Sequence, residues 1–249
     1  MATLRSSNPA FTTGTGFQTP STGELDAMYA TQPRMTVDDV IMHTAGLMTL
    51  LGVTAVIGWR LSPENAGLGF AAGLAALALS FAIAFSRVIR PPLVVIFAAL
   101  EGLFVGAISH AYENQFQGIV TQALIGTGVI FGTMLLAYRS GRLRATPRMR
   151  KIVIGTLLGV VGLSLVDLGL RAFGTNLPIL NDATPLGILL SVGILVVASL
   201  QFVLDFDFID QAIAAGAPRS EAWRASYGLL VGFIWVYLEL LRLLSKLRR

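Results

Sequence analysis

Three carboxylates follow one another in the stretch SLQFVLDFDFID, at the end of a long apolar run. They belong to Asp205, Asp207 and Asp210. On a helix, Asp205 and Asp207 point about 200° apart, so the two cannot face one partner. Asp205 is therefore the acid expected to reach into the protein. Asp207 and Asp210 are expected to be solvated just beyond a helix end, with a place at the mouth of an ion path as the alternative.

Glu239 is a second acid surrounded by apolar residues, in the stretch GFIWVYLELLRLL. Arg242, one turn further on, is one candidate partner, and Asp205 on another helix is the other. Two carboxylates in a site without water cannot both ionise at low cost, so they share a proton or hold a cation. Oxygen ligands of this kind favour Ca²⁺ among the common ions. An Asp205–Glu239 pair would therefore form a pH-sensitive gate and a candidate Ca²⁺ site.

Glu101 is a third candidate, about half way along the apolar stretch FAALEGLFVG. A lone carboxylate is costly at membrane depth unless it is neutral or paired. Two interpretations remain open for Glu101: a polar packing contact between helices, or a place on an ion path.

The elements that must position these acids are seven apolar segments, each about long enough to cross a hydrocarbon core near 30 Å thick. Of the 249 residues, 54% are hydrophobic and only 13% are charged, whereas soluble domains carry about 25% charge. Backbone polar groups in lipid must be satisfied within each segment, so the segments are predicted to be helices. The fold class is therefore all-α, a polytopic membrane protein. The segments are approximately 39–60, 66–86, 92–112, 119–138, 151–173, 186–205 and 223–245.

Small residues recur within these segments at a spacing of four, which is typical of close helix packing. The pairs are Gly102/Gly106, Gly128/Gly132 and Gly155/Gly159.

Two domains are predicted: a disordered cytoplasmic tail over residues 1–35, and a seven-helix transmembrane domain over residues 36–249. The tail is rich in Ser, Thr, Gly, Pro and Gln and lacks hydrophobic periodicity. Thr36 followed by Asp39 has the spacing of a capping box, so the first helix is expected to begin there.

The basic link YRSGRLRATPRMRK places residues 139–151 in the cytoplasm by the positive-inside rule. Alternation then makes the tail cytoplasmic and puts the basic end of the last segment, SKLRR, on the outer side, which the same rule disfavours. Either the earlier charges dominate, or the last segment does not cross fully.

Several functional classes are excluded or disfavoured. The chain has no cysteine, so thiolate metal sites and disulfides are excluded. Basic residues exceed acidic ones by only four, 18 against 14, and they lie beside apolar segments. This favours contact with lipid headgroups over nucleic acid. No HExxH or GxSG motif occurs, so the protein is not expected to be an enzyme. No cofactor is expected, and a bound Ca²⁺ is the one candidate ion.

The sequence resembles the Bax inhibitor-1 (TMBIM) family, and in particular a bacterial Bax inhibitor-1-like subgroup. The stretch FVLDFDFI resembles the sixth-helix motif of that family, VYLELLRLL its seventh-helix motif, and LEGLFVGAI its third-helix motif. SNPAF and MTVDDV are similar to the bacterial subgroup. The resemblance covers residues 36–249.

The resemblance implies six helices in two layers around a central seventh, in a multi-pass protein of the bacterial cell membrane. It also implies a calcium leak governed by pH, with Asp205 at the sixth-helix aspartate position and Glu239 at the seventh. The seventh-helix acid is Glu here rather than Asp. The implied partners are the lipid bilayer and Ca²⁺ or H⁺. The alternative is a non-conducting membrane adaptor that binds and regulates other membrane proteins in stress response.

Overall fold

The structure is a computed structural model that describes residues 33–63, 65–175 and 177–249. Met35–Arg249 forms one compact unit. The predicted disordered tail, residues 1–35, lies almost entirely outside the described residues and stays a prediction.

The described residues form seven long helices and one short helix, and they contain no extended sheet. Each long helix is apolar enough and long enough to cross a membrane, so the predicted all-α class and the seven spans are confirmed. The helices are α1 (Val37–Leu61), α2 (Ala66–Ala84), α3 (Pro91–Gln115), α4 (Ile119–Arg139), α5 (Pro147–Ala172), the short α6 (Pro178–Asn181), α7 (Pro185–Ala214) and α8 (Glu221–Leu247).

Helix α8 occupies the centre of the bundle, as predicted for the last segment. In the most apolar 18-residue stretch of α8, 56% of the residues are buried inside the protein, against 11% in the corresponding stretches of α1 and α5. It contacts α1 and α3 on one side and α4 and α7 on the other. Helix α2 packs on α3, and α5 packs on α7. Residues on α8 can therefore reach both sets of helices.

The start of α1 is tied to the link between α7 and α8. Asp39 N donates to Thr36 Oγ1 at 3.2 Å, and Thr36 N donates to Asp39 Oδ2 at 3.1 Å, so the predicted capping box is confirmed. Asp39 also forms an ion pair with Arg219 at 2.8 Å. Met35 N donates to Ala217 O at 2.8 Å. We call this side of the bundle, which also carries the link 140–146, the basic face.

Helix α7 is longer than the apolar pattern predicts, because it continues nine residues beyond Asp205 to Ala214. Asp207 and Asp210 therefore lie within the helix, and the prediction that they follow its end is wrong. Backbone hydrogen bonds within a helix need no apolar side chains, so a helix can continue where the apolar run stops.

The three predicted glycine pairs differ in how closely they pack against neighbouring helices. A Cβ added at Gly106 on α3 would overlap the backbone of Ala55 on α1, and one at Gly102 would overlap Thr54. The close packing predicted for this pair is confirmed. At the other two pairs, on α4 and α5, no atom of the described residues lies within 4 Å of an added Cβ, so the same prediction is wrong for them.

Gly106→Ala is expected to lower the thermal stability of the purified protein. Because the Ala55 backbone cannot move aside cheaply, the overpacking should cost about 1–3 kcal/mol. Gly155→Ala, in open space on α5, is the matched control and should change the unfolding midpoint little. Equal midpoints for the two variants would contradict the close contact between α1 and α3.

Candidate functional site

Asp205 is a buried carboxylate on α7, with 9% of the residue exposed. Its Oδ1 accepts a hydrogen bond from Gln201 Nε2 at 2.8 Å, one turn earlier on the same helix. Its Oδ2 is buried and has no hydrogen-bond partner among the described residues. A buried polar atom without a partner is costly, and it identifies Asp205 as an unsatisfied acceptor.

Two glycines of α8 face this carboxylate. An added Cβ would lie 3.3 Å from Asp205 Oδ1 at Gly228 and 3.4 Å from Oδ2 at Gly232. Because neither residue has a side chain, the carboxylate lies directly against the α8 backbone. Gly228 and Gly232 are four residues apart, on one face of the helix. The positions of α8 closest to Asp205 therefore supply no second acid.

Asp205 lies at a cavity of about 230 Å³ near the basic face, between α2, α7 and α8. The cavity has one cationic lining residue, Arg224. Arg224 Nε donates to Glu221 Oε2 at 2.8 Å, and Nη2 donates to Arg87 O at 3.1 Å. Its guanidinium is thus engaged away from Asp205. The lining residues are Ile83, Ala84, Asp205, Phe208, Arg224, Ala225, Tyr227 and Gly228.

A hydrogen bond between α2 and α8 lies beside this cavity. The hydroxyls of Ser80 and Tyr227 are 2.7 Å apart, and Phe97 of α3 packs edge-on against the Tyr227 ring. This contact fixes the α2 wall of the cavity against α8.

Glu239 lies in a different cluster, towards the end of α8. Its residue is 2% exposed, and Oε2 accepts from Arg242 Nη1 at 3.0 Å. The hydroxyl of Ser191 on α7 also interacts with this carboxyl group, and the ammonium of Lys246 acts on it electrostatically without forming an ion pair. The ion pair with Arg242, the first of the two predicted partners, is therefore formed.

The predicted contact between Asp205 and Glu239 is not formed. Asp205 faces Gly232, and Glu239 lies seven residues further along α8, about 10 Å along the helix axis. On α7 the two clusters are further apart, because Ser191 precedes Asp205 by fourteen residues, or about 21 Å. Helices α7 and α8 run antiparallel. Asp205, in the second half of α7, therefore faces the first half of α8, whereas Glu239, in the second half of α8, faces the first half of α7.

Glu101 is half-buried on α3 and meets neither of the other acids. Among the described residues it has no hydrogen bond or ion pair, and its electrostatic interaction is with Tyr227. The residue therefore faces the region where α3 approaches α8. Both interpretations of Glu101, packing contact and ion path, stay predictions.

Asp207 and Asp210 make contacts at the basic face. Asp207 forms an ion pair with Arg150 of α5 at 3.5 Å and accepts from Gln211 at 2.6 Å. Asp210 accepts from the Tyr138 hydroxyl of α4 at 2.8 Å. These acids connect α7 to its neighbours, which a fully solvated helix end would not do.

Within the described part of the chain, no group of three or more His, Cys, Asp or Glu residues could hold a metal ion. Asp205 alone offers one carboxylate and the nearby α8 backbone. The predicted two-carboxylate Ca²⁺ site of Asp205 and Glu239 is therefore not assembled.

The sequence interpretation missed Gly228, Gly232, Ser191 and Lys246. The glycine pair carried a usable signal, since small residues four apart on a membrane helix mark a close approach. Ser191 and Lys246 carried none, because serine is common in apolar helices and a lysine near a segment end is ordinarily expected to extend to the interface.

These features define an integral multi-pass membrane protein with a central last helix and a buried acid on the helix before it. A family model described as Bax inhibitor 1 like matches residues 8–249, nearly the whole chain. The chain therefore belongs to the Bax inhibitor 1-like family, as its resemblance predicted. No curated protein matches the sequence.

Proposed function

We propose that this protein is a pH-sensitive calcium leak of the Bax inhibitor-1 type, and that Asp205 is its pH-responsive group. The observation that carries the proposal is the buried, unpartnered Oδ2 of Asp205 at the cavity between α2, α7 and α8. Such an oxygen gains most from a proton or from a cation that arrives through the cavity. The protein acts in transport rather than catalysis.

The surroundings of Asp205 support a role in cation passage. Gly228 and Gly232 have no side chains, so on the α8 side an ion beside Asp205 would meet the helix backbone, while apolar side chains such as Ile83 and Phe208 line much of the cavity. The ionisable groups around the cavity are Arg224, its partner Glu221, and Tyr227. Arg224 is held by Glu221, which leaves the Asp205 charge available to an ion.

Glu239 takes a different role in this proposal from the one its sequence motif implies. Since Arg242 forms an ion pair with it and Lys246 interacts with it electrostatically, Glu239 serves to balance positive charge near the end of α8. The gate then depends on the protonation of Asp205 alone rather than on a proton shared by two acids.

The proposal places the basic face in the cytoplasm of a bacterial cell. The link 140–146 and the first turns of α5 concentrate arginines at this face, which the positive-inside rule assigns to the cytoplasmic side. The Asp205 cavity would then face the cytoplasm, and the segment before α1 would lie on the same side.

Calcium entry into proteoliposomes tests this function. The purified protein is reconstituted into liposomes that contain a fluorescent Ca²⁺ indicator, and Ca²⁺ is added to the outside solution at several pH values. We expect faster Ca²⁺ entry than into protein-free liposomes, with a rate that changes with pH.

A rate equal to that of protein-free liposomes at every pH would overturn the proposal. If a stoichiometric membrane protein partner were then recovered with the protein, the alternative of a non-conducting adaptor would take its place.

A further inference from the structure

Gln201 lies one turn before Asp205 on α7 and holds its carboxylate. Gln201 Nε2 donates to Asp205 Oδ1 at 2.8 Å, which is the one hydrogen bond that the described residues make to this carboxylate. Asp205 Oδ2 is buried and has no such partner. The two oxygens of Asp205 therefore differ: Oδ1 is fixed to its own helix, and Oδ2 is left for a proton or an ion.

The amide of Gln201 distinguishes between the two protonation states of Asp205. A side-chain amide nitrogen can only donate, and a donor favours the charged form of a carboxyl group. Hydrogen bonds to an ionised acceptor are roughly twice as strong as bonds between neutral groups. Gln201 therefore supports the ionised form of Asp205 at a buried position, where a charge without a partner is costly.

We propose that Gln201 is a positioning residue of the Asp205 site, which keeps Oδ2 free at the α8 backbone and sets the pH at which Asp205 takes up its proton. This inference rests on the proposed function, because it assigns the regulation of the same carboxylate. A neutral amide on α7 thereby replaces Glu239 as the partner of Asp205. The two partners act in opposite directions, since a second acid opposes ionisation and an amide donor assists it.

The other ionisable groups on the elements around Asp205 have partners of their own. The pairs are Arg224 with Glu221 and Tyr227 with Ser80 at the cavity, Arg150 of α5 with Asp207, and Tyr138 of α4 with Asp210. Helix α2 contributes the apolar Ile83 and Ala84 to the cavity. Within the described residues, Gln201 is therefore the polar side chain that acts on Asp205 by direct contact.

A second glutamine–aspartate pair on α7 provides a matched control. Gln211 Nε2 donates to Asp207 Oδ2 at 2.6 Å, again over four residues. Gln211 is exposed, and Asp207 has Arg150 as a further partner. Loss of the Gln211 amide leaves Asp207 with an ion pair, whereas loss of the Gln201 amide leaves Asp205 without its one hydrogen bond.

Infrared spectroscopy of the full-length protein in liposomes measures the protonation of Asp205 without any need for ion flux. The carbonyl stretch of protonated carboxyl groups is recorded during a pH titration, and the signal of Asp205 is the part that Asp205→Asn lacks. The variants are Gln201→Met, Gln201→Glu and the control Gln211→Met. For Gln201→Glu, the reference is the double variant Gln201→Glu/Asp205→Asn. The pH profile of Ca²⁺ entry into proteoliposomes is measured for the same variants.

We expect Gln201→Met to raise the midpoint of Asp205 protonation by about one pH unit, a tenfold gain in proton affinity, because the ionised form loses its donor. Gln201→Glu has nearly the same shape and should raise the midpoint further, because a like charge then opposes ionisation as well. Gln211→Met should leave the midpoint unchanged. The pH profile of Ca²⁺ entry should shift by the same amount as the infrared midpoint.

An unchanged midpoint in the folded Gln201 variants, or an equal shift in Gln211→Met, would overturn the proposal. If Gln201→Met does not fold, Gln201→Glu decides in the same way. A shifted infrared midpoint without Ca²⁺ entry supports the role of Gln201 and contradicts the calcium leak. Ca²⁺ entry with an unshifted midpoint contradicts the role of Gln201 and leaves the leak in place.

Discussion

Arg242→Leu is expected to lower the free energy of unfolding by about 3–5 kcal/mol, because it leaves the buried Glu239 carboxylate without its ion-pair partner. The Glu239 side chain is 2% exposed, whereas Arg242 is 29% exposed. The loss of stability therefore comes mainly from leaving the buried Glu239 carboxylate unpaired. The measurement is the loss of folded protein on heating or in denaturant, in detergent.

Arg224→Leu is the matched control for that prediction. Arg224 and Glu221 form an ion pair with the same three-residue spacing on α8, at 2.8 Å, but their side chains are 28% and 27% exposed. An accessible pair contributes only about 0–1 kcal/mol. The double variant Arg242→Leu/Glu239→Gln should recover most of the lost stability. A similar small loss for Arg242→Leu and Arg224→Leu would contradict the buried role of Glu239.

Gly228→Leu is expected to reduce Ca²⁺ entry into proteoliposomes by about tenfold or more, corresponding to about 1.4 kcal/mol in the barrier. Among the described residues, a Cβ at this position meets only Asp205, at 3.3 Å from Oδ1 and 3.7 Å from Cγ. The remaining leucine atoms would extend towards the cavity of about 230 Å³. The substitution therefore covers the carboxylate and should leave the helix packing largely intact.

Gly193→Leu on α7 controls for adding leucine to a membrane helix, because in the described part of the chain no atom lies within 4 Å of an added Cβ there. Its Ca²⁺ flux should equal that of the wild type. Each variant is first compared with the wild type in thermal midpoint, so that a folding defect is distinguished from a blocked cavity. Wild-type flux from a stably folded Gly228→Leu would show that ions do not pass beside Asp205.

The sequence predicts the number of spans and the burial of Asp205 and Glu239, because length and hydropathy alone decide what lies in the membrane. It does not predict which acids meet. Most of these helices are apolar on all sides, so periodicity cannot show which face of α7 turns towards α8. The resemblance of the motif at Glu239 implied a pair of acids, Asp205 and Glu239, whereas the structure pairs Glu239 with Arg242 on the same helix.

The basic end of the last segment shows a second limit on what the sequence predicts. SKLRR conflicts with the positive-inside rule if α8 crosses fully, and α8 does have the length to cross. At least two of its three cations have partners in the protein: Lys246 donates to Gly187 O and Ser191 Oγ of α7, and Arg248 donates to Gln117 O and Gln122 Oε1, each at 2.8 Å. The rule applies to charges that interact with the membrane surface, and a charge count cannot distinguish those from charges with protein partners.

The most direct test of the central claim is the pH dependence of Ca²⁺ flux in Asp205→Asn compared with Glu239→Gln. Asparagine mimics a protonated Asp205, so the flux of this variant should stay at the low-pH limit of the wild type at every pH. Glu239→Gln should retain the wild-type pH profile, since Glu239 lies in a separate cluster. A normal profile in Asp205→Asn, or its loss in a stably folded Glu239→Gln, would contradict the account.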